Sequence, residues 1–90
     1  MRDITPVARY LVWAMEGCGI METQTIYRAF KEVCDKHKHP LPDNLQAEVR
    51  QTLQAHCSSS RQYRGRDDLF VYHEPGRWSC KATSPSLDDL

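Results

Sequence analysis

The stretch "SSSRQYRGRDDLFVYHEPGRWSCK", residues 58–81, decides how this chain folds. Pro75-Gly76 is a turn dipeptide, because proline presets φ for the second residue of a turn and glycine tolerates a positive φ at the third. Before it, "DLFVYH" is dense in residues that suit a pleated surface. After it, "RWSCK" returns as a second strand that puts Trp78 and Cys80 on one face. Upstream, "SSSRQYRGR" has the composition of a loop, with Gly65 free to adopt a positive φ. The expectation is a hairpin pairing residues 69–72 with 77–81.

Toward the N-terminus the period changes from two to 3.6. Thr5-Pro6 reads as an N-cap followed by proline at the first helical position, where a missing N–H costs nothing. Val7, Leu11, Ala14 and Met15 then recur at helical spacing until Gly17 and Gly19, giving a first helix over 5–16. Ile20-Met21 is too short for a helix but long enough to add a rung to a sheet. A second helix over 23–37, capped by Thr23, buries Ile26, Phe30, Val33 and Cys34. "HKHPLPDN" ends it, since proline pushes the preceding residue out of the helical region. Asp43 with Gln46 three residues later has the capping-box pattern and predicts a third helix over 43–57, burying Leu45, Val49, Leu53 and His56.

The order helix, short strand, helix, helix, strand, turn, strand predicts a mainly α fold with a small β-sheet, an α+β winged helix-turn-helix. Three helices form the core, and the C-terminal hairpin, the wing, closes its open side through Leu69, Val71 and Trp78. Ile20-Met21 is expected to pair with the second hairpin strand. The domain is expected to span 1–81, with 82–90, which lacks periodicity, as a disordered tail.

Composition narrows the function classes. Ninety residues make one domain with one modest core, too small to wall off a large active site. No run approaches the roughly eighteen apolar residues of a membrane span, and MRDITPV lacks the basic start and apolar stretch of a secretory signal. A cytoplasmic protein is expected. Cys18, Cys34, Cys57 and Cys80 are far apart and form no Cys-x-x-Cys pair, so they read as reduced thiols, Cys34 and Cys57 facing the core. His37 and His39 alone do not make a zinc site. Neither a metal nor a cofactor is expected. Ser58, Ser59 and Ser60 lack a nucleophile-elbow context, and no phosphate loop, HExxH or paired-carboxylate motif is present, so the chain is not read as an enzyme.

Charge points to a different activity. Residues 1–57 carry seven basic and seven acidic side chains, whereas 58–81 carry Arg61, Arg64, Arg66, Arg77 and Lys81 against Asp67, Asp68 and Glu74. Positive charge therefore gathers on the loop and hairpin. The third helix offers Asn44, Gln46, Arg50, Gln51 and Gln54 on the side opposite Leu45, Val49 and Leu53. Amides pair with N6 and N7 of adenine and arginine forks onto O6 and N7 of guanine, so these residues suit a major groove. Arg61, Arg64, Arg66 and Arg77 suit phosphates or a minor groove, and Tyr63 suits contact with a base. Amides and arginines also decorate any solvated helix face, and Asp67 and Asp68 are near enough in sequence to pair with the loop arginines.

The segment "VRQTLQAHCSSSRQYRGRDDLFVYHEPGRWSCK", residues 49–81, resembles winged-helix modules attached to HNH and other restriction-type endonucleases, including modification-dependent ones. Those show a helix of the form R-x-T-L-Q-x-H/Y-C/S, a serine-containing loop, an aromatic plus glycine, "DLF" and a final "G-x-W". The resemblance covers about a third of the chain. It implies reading of double-stranded DNA, in some relatives of methylated adenine, on behalf of a partner nuclease. It singles out Arg50, Gln51, Gln54, Ser58, Ser60, Gln62, Tyr63 and Gly65 at the characteristic positions. No nuclease motif accompanies them, and the formal net charge of zero departs from the basic character of avid DNA binders. Winged helices also dock on proteins, so the alternative is a protein–protein interaction module.

Overall fold

The computed structural model describes residues 5–63 and 68–81. Six elements follow in the expected order: α1 (Pro6–Met15), β1 (Met21–Glu22), α2 (Thr23–Lys36), α3 (Leu45–Ala55), β2 (Phe70–Glu74) and β3 (Arg77–Cys80). They form a small α+β fold of three helices and a three-stranded antiparallel sheet in the order β1-β3-β2. Arg64, Gly65, Arg66, Asp67 and the tail 82–90 lie outside the described residues, and so do the expectations placed on them.

Each helix starts and stops for a local reason. Thr5 caps α1 as the sequence predicts: its Oγ1 accepts the Ala8 N–H at 3.2 Å, and Pro6 occupies the first turn. Thr23 does not cap α2. Glu22 holds that position without a side-chain bond, and the Thr23 N–H instead donates to the carbonyl of Gly76 at 2.9 Å, tying the helix start to the hairpin tip. The capping box at Asp43 does not form either. Asn44 is the N-cap of α3 and makes no side-chain cap bond, so the cap lies one residue later than the pattern suggests.

The connection between α2 and α3 is ordered by two devices. Lys38 takes a φ of 54°, its N–H donating to Asp35 at 3.1 Å and that of His39 to Cys34 at 2.8 Å, the paired bonds of a Schellman motif. Aromatic packing then draws the segment onto α1: the Tyr10 ring stacks on His37 at 5.4 Å and meets His39 edge-on at 4.9 Å, while Trp13 lies 4.8 Å from His37.

One core joins all layers. Leu11, Val12 and Met15 from α1, Ile26, Phe30 and Cys34 from α2, and Val49 and Leu53 from α3 are completely buried, and Leu69, Phe70 and Trp78 close over them. Cys34 and Cys57 are buried thiols, as expected, and burial pushes the Cys34 thiol up from its ordinary pKa. Leu45 and His56 are only half-buried.

Phe70, not Val71, is the residue β2 sends inward. Directly opposed residues of an antiparallel pair share a face; Phe70 lies opposite Cys80 and Tyr72 opposite Trp78, which puts Val71, opposite Ser79, on the other side. The short first strand is Met21–Glu22, one residue later than expected, with Met21 opposite Trp78 and buried and Ile20 left 57% exposed. Gly76, at φ 80°, takes the third position of the turn. An extra residue at His73 breaks the ladder between Tyr72 and Glu74, and its Nε2 lies 2.8 Å from Ser79 Oγ. Among the described residues no helix is long and apolar enough to cross a membrane.

Candidate nucleic-acid interface

Burial of Val49 and Leu53 fixes the rotation of α3, and with it the face turned outward. Gln46, Arg50 and Gln54 follow one another at four-residue spacing and therefore form a stripe, each step about 6 Å along the axis. Gln46 and Arg50 are exposed and Gln54 is half-buried; Asn44 and Gln51, flanking the stripe, are exposed.

The stripe lies in a groove of about 420 Å³ between α3, the start of α2 and the hairpin, lined also by Thr23, Gln24, Tyr27, Tyr72, Gly76 and Trp78. Tyr72 is 43% exposed and meets the Trp78 ring edge-on at 5.2 Å, so it forms the hairpin wall. Two smaller depressions extend this groove. One shares Gln24, Tyr27 and Gln46 with it and adds Arg28, Lys31 and Leu45 from α2 and α3. The other shares Gln54 and adds Gln51, Ala55 and Gln62, bringing the loop beside the helix. Five glutamines, two arginines and a lysine thus line three depressions that share residues, and no carboxylate lines them among the described residues.

The loop that supplies Gln62 is built from turns. The N–H of Ser60 donates to the Cys57 carbonyl at 3.0 Å and that of Tyr63 to the Ser60 carbonyl at 3.2 Å. The Ser60 hydroxyl accepts the Gln62 N–H at 3.2 Å and donates to Gln62 Oε1 at 3.1 Å, so Ser60 orients Gln62. Ser58 donates its N–H to Asp68. Arg61 is exposed and Tyr63 half-buried.

Three carboxylates of the sheet and its flanks are paired. Arg77 Nε is 3.0 Å from Glu74 and its Nη2 is 3.5 Å from Glu22. Asp68 pairs with Lys81. Partial desolvation raises the Asp68 pKa, but the hydrogen bonds from Lys81 and Ser58 and the Lys81 charge outweigh it and hold the carboxyl below its ordinary value. Among the described residues the charged partner of Asp68 is Lys81, and the guanidinium of Arg77 is engaged by carboxylates of β1 and β2.

The structure thus brings Gln46, Arg50, Gln51, Gln54 and Gln62 together, places Ser58, Ser60 and Tyr63 in the framework of the loop, and leaves Arg61 exposed at its side. Arg64 and Arg66 lie outside the described residues. Sequence reasoning missed Gln24, Arg28 and Lys31 on α2. Among the described residues no group of three or more His, Cys, Asp or Glu is placed to hold a metal ion. Comparison with protein families, curated proteins and solved structures finds no match for this chain.

Proposed function

We infer that this is a winged-helix reader of double-stranded DNA, with α3 in the major groove and the hairpin as its wing. The observation that carries the reading is the Gln46–Arg50–Gln54 stripe lining a groove between α2 and the hairpin that, among the described residues, holds no carboxylate. An α-helix fits the width of a major groove, and amide and guanidinium groups are the side chains that pair bidentately with purine edges there. Arg28, Lys31 and Arg61 stand at the margins, where phosphates run on either side of a docked helix. Net charge is zero, but Glu22 and Glu74 share Arg77 and Asp68 holds Lys81 within the sheet, while no carboxylate among the described residues lines the groove itself. Arg77 reaches a phosphate only by exchanging its carboxylate partners, so it contributes less than the other arginines.

The test is fluorescence anisotropy with a duplex selected from a random pool, at two salt concentrations. Arg50→Ala and Gln54→Ala are expected to reduce discrimination between the selected duplex and its single-base variants by about 1–3 kcal/mol per lost bidentate contact. The result that overturns the reading is absence of salt-sensitive binding to any duplex, methylated or not. If α3 substitutions then abolish capture of a protein, the domain is an interaction module.

A further inference from the structure

Asp68 stands where three pieces of chain meet. Its Oδ1 accepts the backbone N–H of Ser58 at 2.9 Å, just after α3, and its Oδ2 binds Nζ of Lys81, just after β3. Beside it, the N–H groups of Leu69 and Phe70 both donate to the His56 carbonyl, at 2.8 and 3.1 Å, and that of Lys81 to the Leu69 carbonyl at 3.0 Å. The carboxylate thus clasps the first residue of the loop whose fourth and fifth residues are Arg61 and Gln62. From Ser58 onward the turn bonds through Ser60 carry the chain to Gln62, which stands beside Gln51 and Gln54.

We propose that Asp68 is a positioning residue of the DNA interface: by holding Ser58 against the hairpin it sets the loop so that Gln62 joins α3 as a base reader. The inference rests on the DNA reading above. It has an unusual sign. Asp68 is an anionic group close to a surface that meets phosphates, so electrostatics alone makes its removal tighten binding to every duplex. Positioning makes its removal weaken binding to the selected duplex, because an unsecured Ser58 lets Gln62 leave its place.

The experiment compares Asp68→Ala, Lys81→Met and Gln62→Ala with the unmodified chain, by anisotropy on the selected duplex and on a scrambled one, at a temperature where melting curves show all variants folded. Asp68→Ala removes both the charge and the acceptor for the Ser58 N–H and is expected to weaken the selected duplex about tenfold, the loss attached to a charge-assisted hydrogen bond, while the scrambled duplex is held as well or better. Lys81→Met keeps the Ser58 bond and is expected to lose less, although it removes a positive charge. Gln62→Ala, which leaves the clasp intact, is expected to lose discrimination to the same degree as Asp68→Ala, and the double variant to lose no more than either. A merely structural role for Asp68 lowers affinity for both duplexes together and does not reproduce this split. Tighter or unchanged binding of the selected duplex by Asp68→Ala, or full discrimination by Gln62→Ala, overturns the positioning role and leaves the DNA reading standing. Failure of the unmodified chain to bind any duplex removes both.

Discussion

Arg28→Ala offers a quantitative test of the part played by α2. Arg28 and Lys31 line the depression that shares Gln24, Tyr27 and Gln46 with the central groove, and Arg61, next to Gln62 in the loop, is exposed. If these three cations each neutralise one phosphate, log affinity falls with log salt at a slope of about −2.7, at about 0.9 per phosphate. Raising salt from about 50 to about 200 mM then weakens binding about 40-fold, and Arg28→Ala reduces the slope to about −1.8 and the loss to about 12-fold. Any phosphate neutralised by Arg64 or Arg66 steepens both lines equally, so the difference of about 0.9 between them is the quantity under test. Anisotropy titrations at four or five salt concentrations measure it. Arg28 is exposed and lies away from the buried side of α2, so melting behaviour is expected to change little. If Arg28→Ala binds duplex with an unchanged slope, α2 does not approach the backbone and the groove is not seated on DNA in this orientation.

Two stability predictions concern the fold itself. Trp78→Ala is expected to cost about 3–5 kcal/mol in urea unfolding, because the ring is 7% exposed and spans the sheet and the core; a cost below about 1 kcal/mol would place it outside the cooperative core. Thr5→Ala is expected to cost about 1 kcal/mol and Asp43→Ala only a few tenths, since Thr5 makes its cap bond and α3 is capped at Asn44 without one; equal costs would mean that the two helix starts differ less than the structure shows.

Local chemistry was what the sequence displayed well. Thr5-Pro6 and Pro75-Gly76 act within a few residues, so their effects could be read directly, and the helical spacing of Leu11, Phe30, Val49 and Leu53 marked the faces that became buried. The errors fall where a nonlocal partner decides. In "LFVY" both sides of the strand are apolar, and only the register against Trp78 and Cys80 determines that Phe70 points inward. The end of α2 has no glycine to announce its left-handed residue; Lys38 accepts that conformation where the Schellman bonds form and His37 and His39 pack on Tyr10. Thr23 looked like a cap because the Gly76 carbonyl that takes its N–H is far away in the chain. For the candidate site, the stripe on α3 was visible as residue types, but Gln24, Arg28 and Lys31 look like any solvated helix face until α2 packs beside α3.

The strand order bears on how the chain can assemble. β3 is the last element in the sequence and also the middle strand, holding β1 through Met21 and Glu22 on one edge and β2 on the other. Neither flanking strand has a partner until residues 77–80 arrive, and closing β1 onto β3 brings together segments separated by most of the domain. Helices α1 and α2 pack through contacts near in sequence, whereas the sheet waits on the slowest kind of loop closure. A nascent chain that has emerged only as far as the Pro75-Gly76 turn therefore carries its glutamine-lined helix without the wall that makes a groove of it. Residues 77–80 complete the sheet, and Trp78 among them completes the lining of the groove.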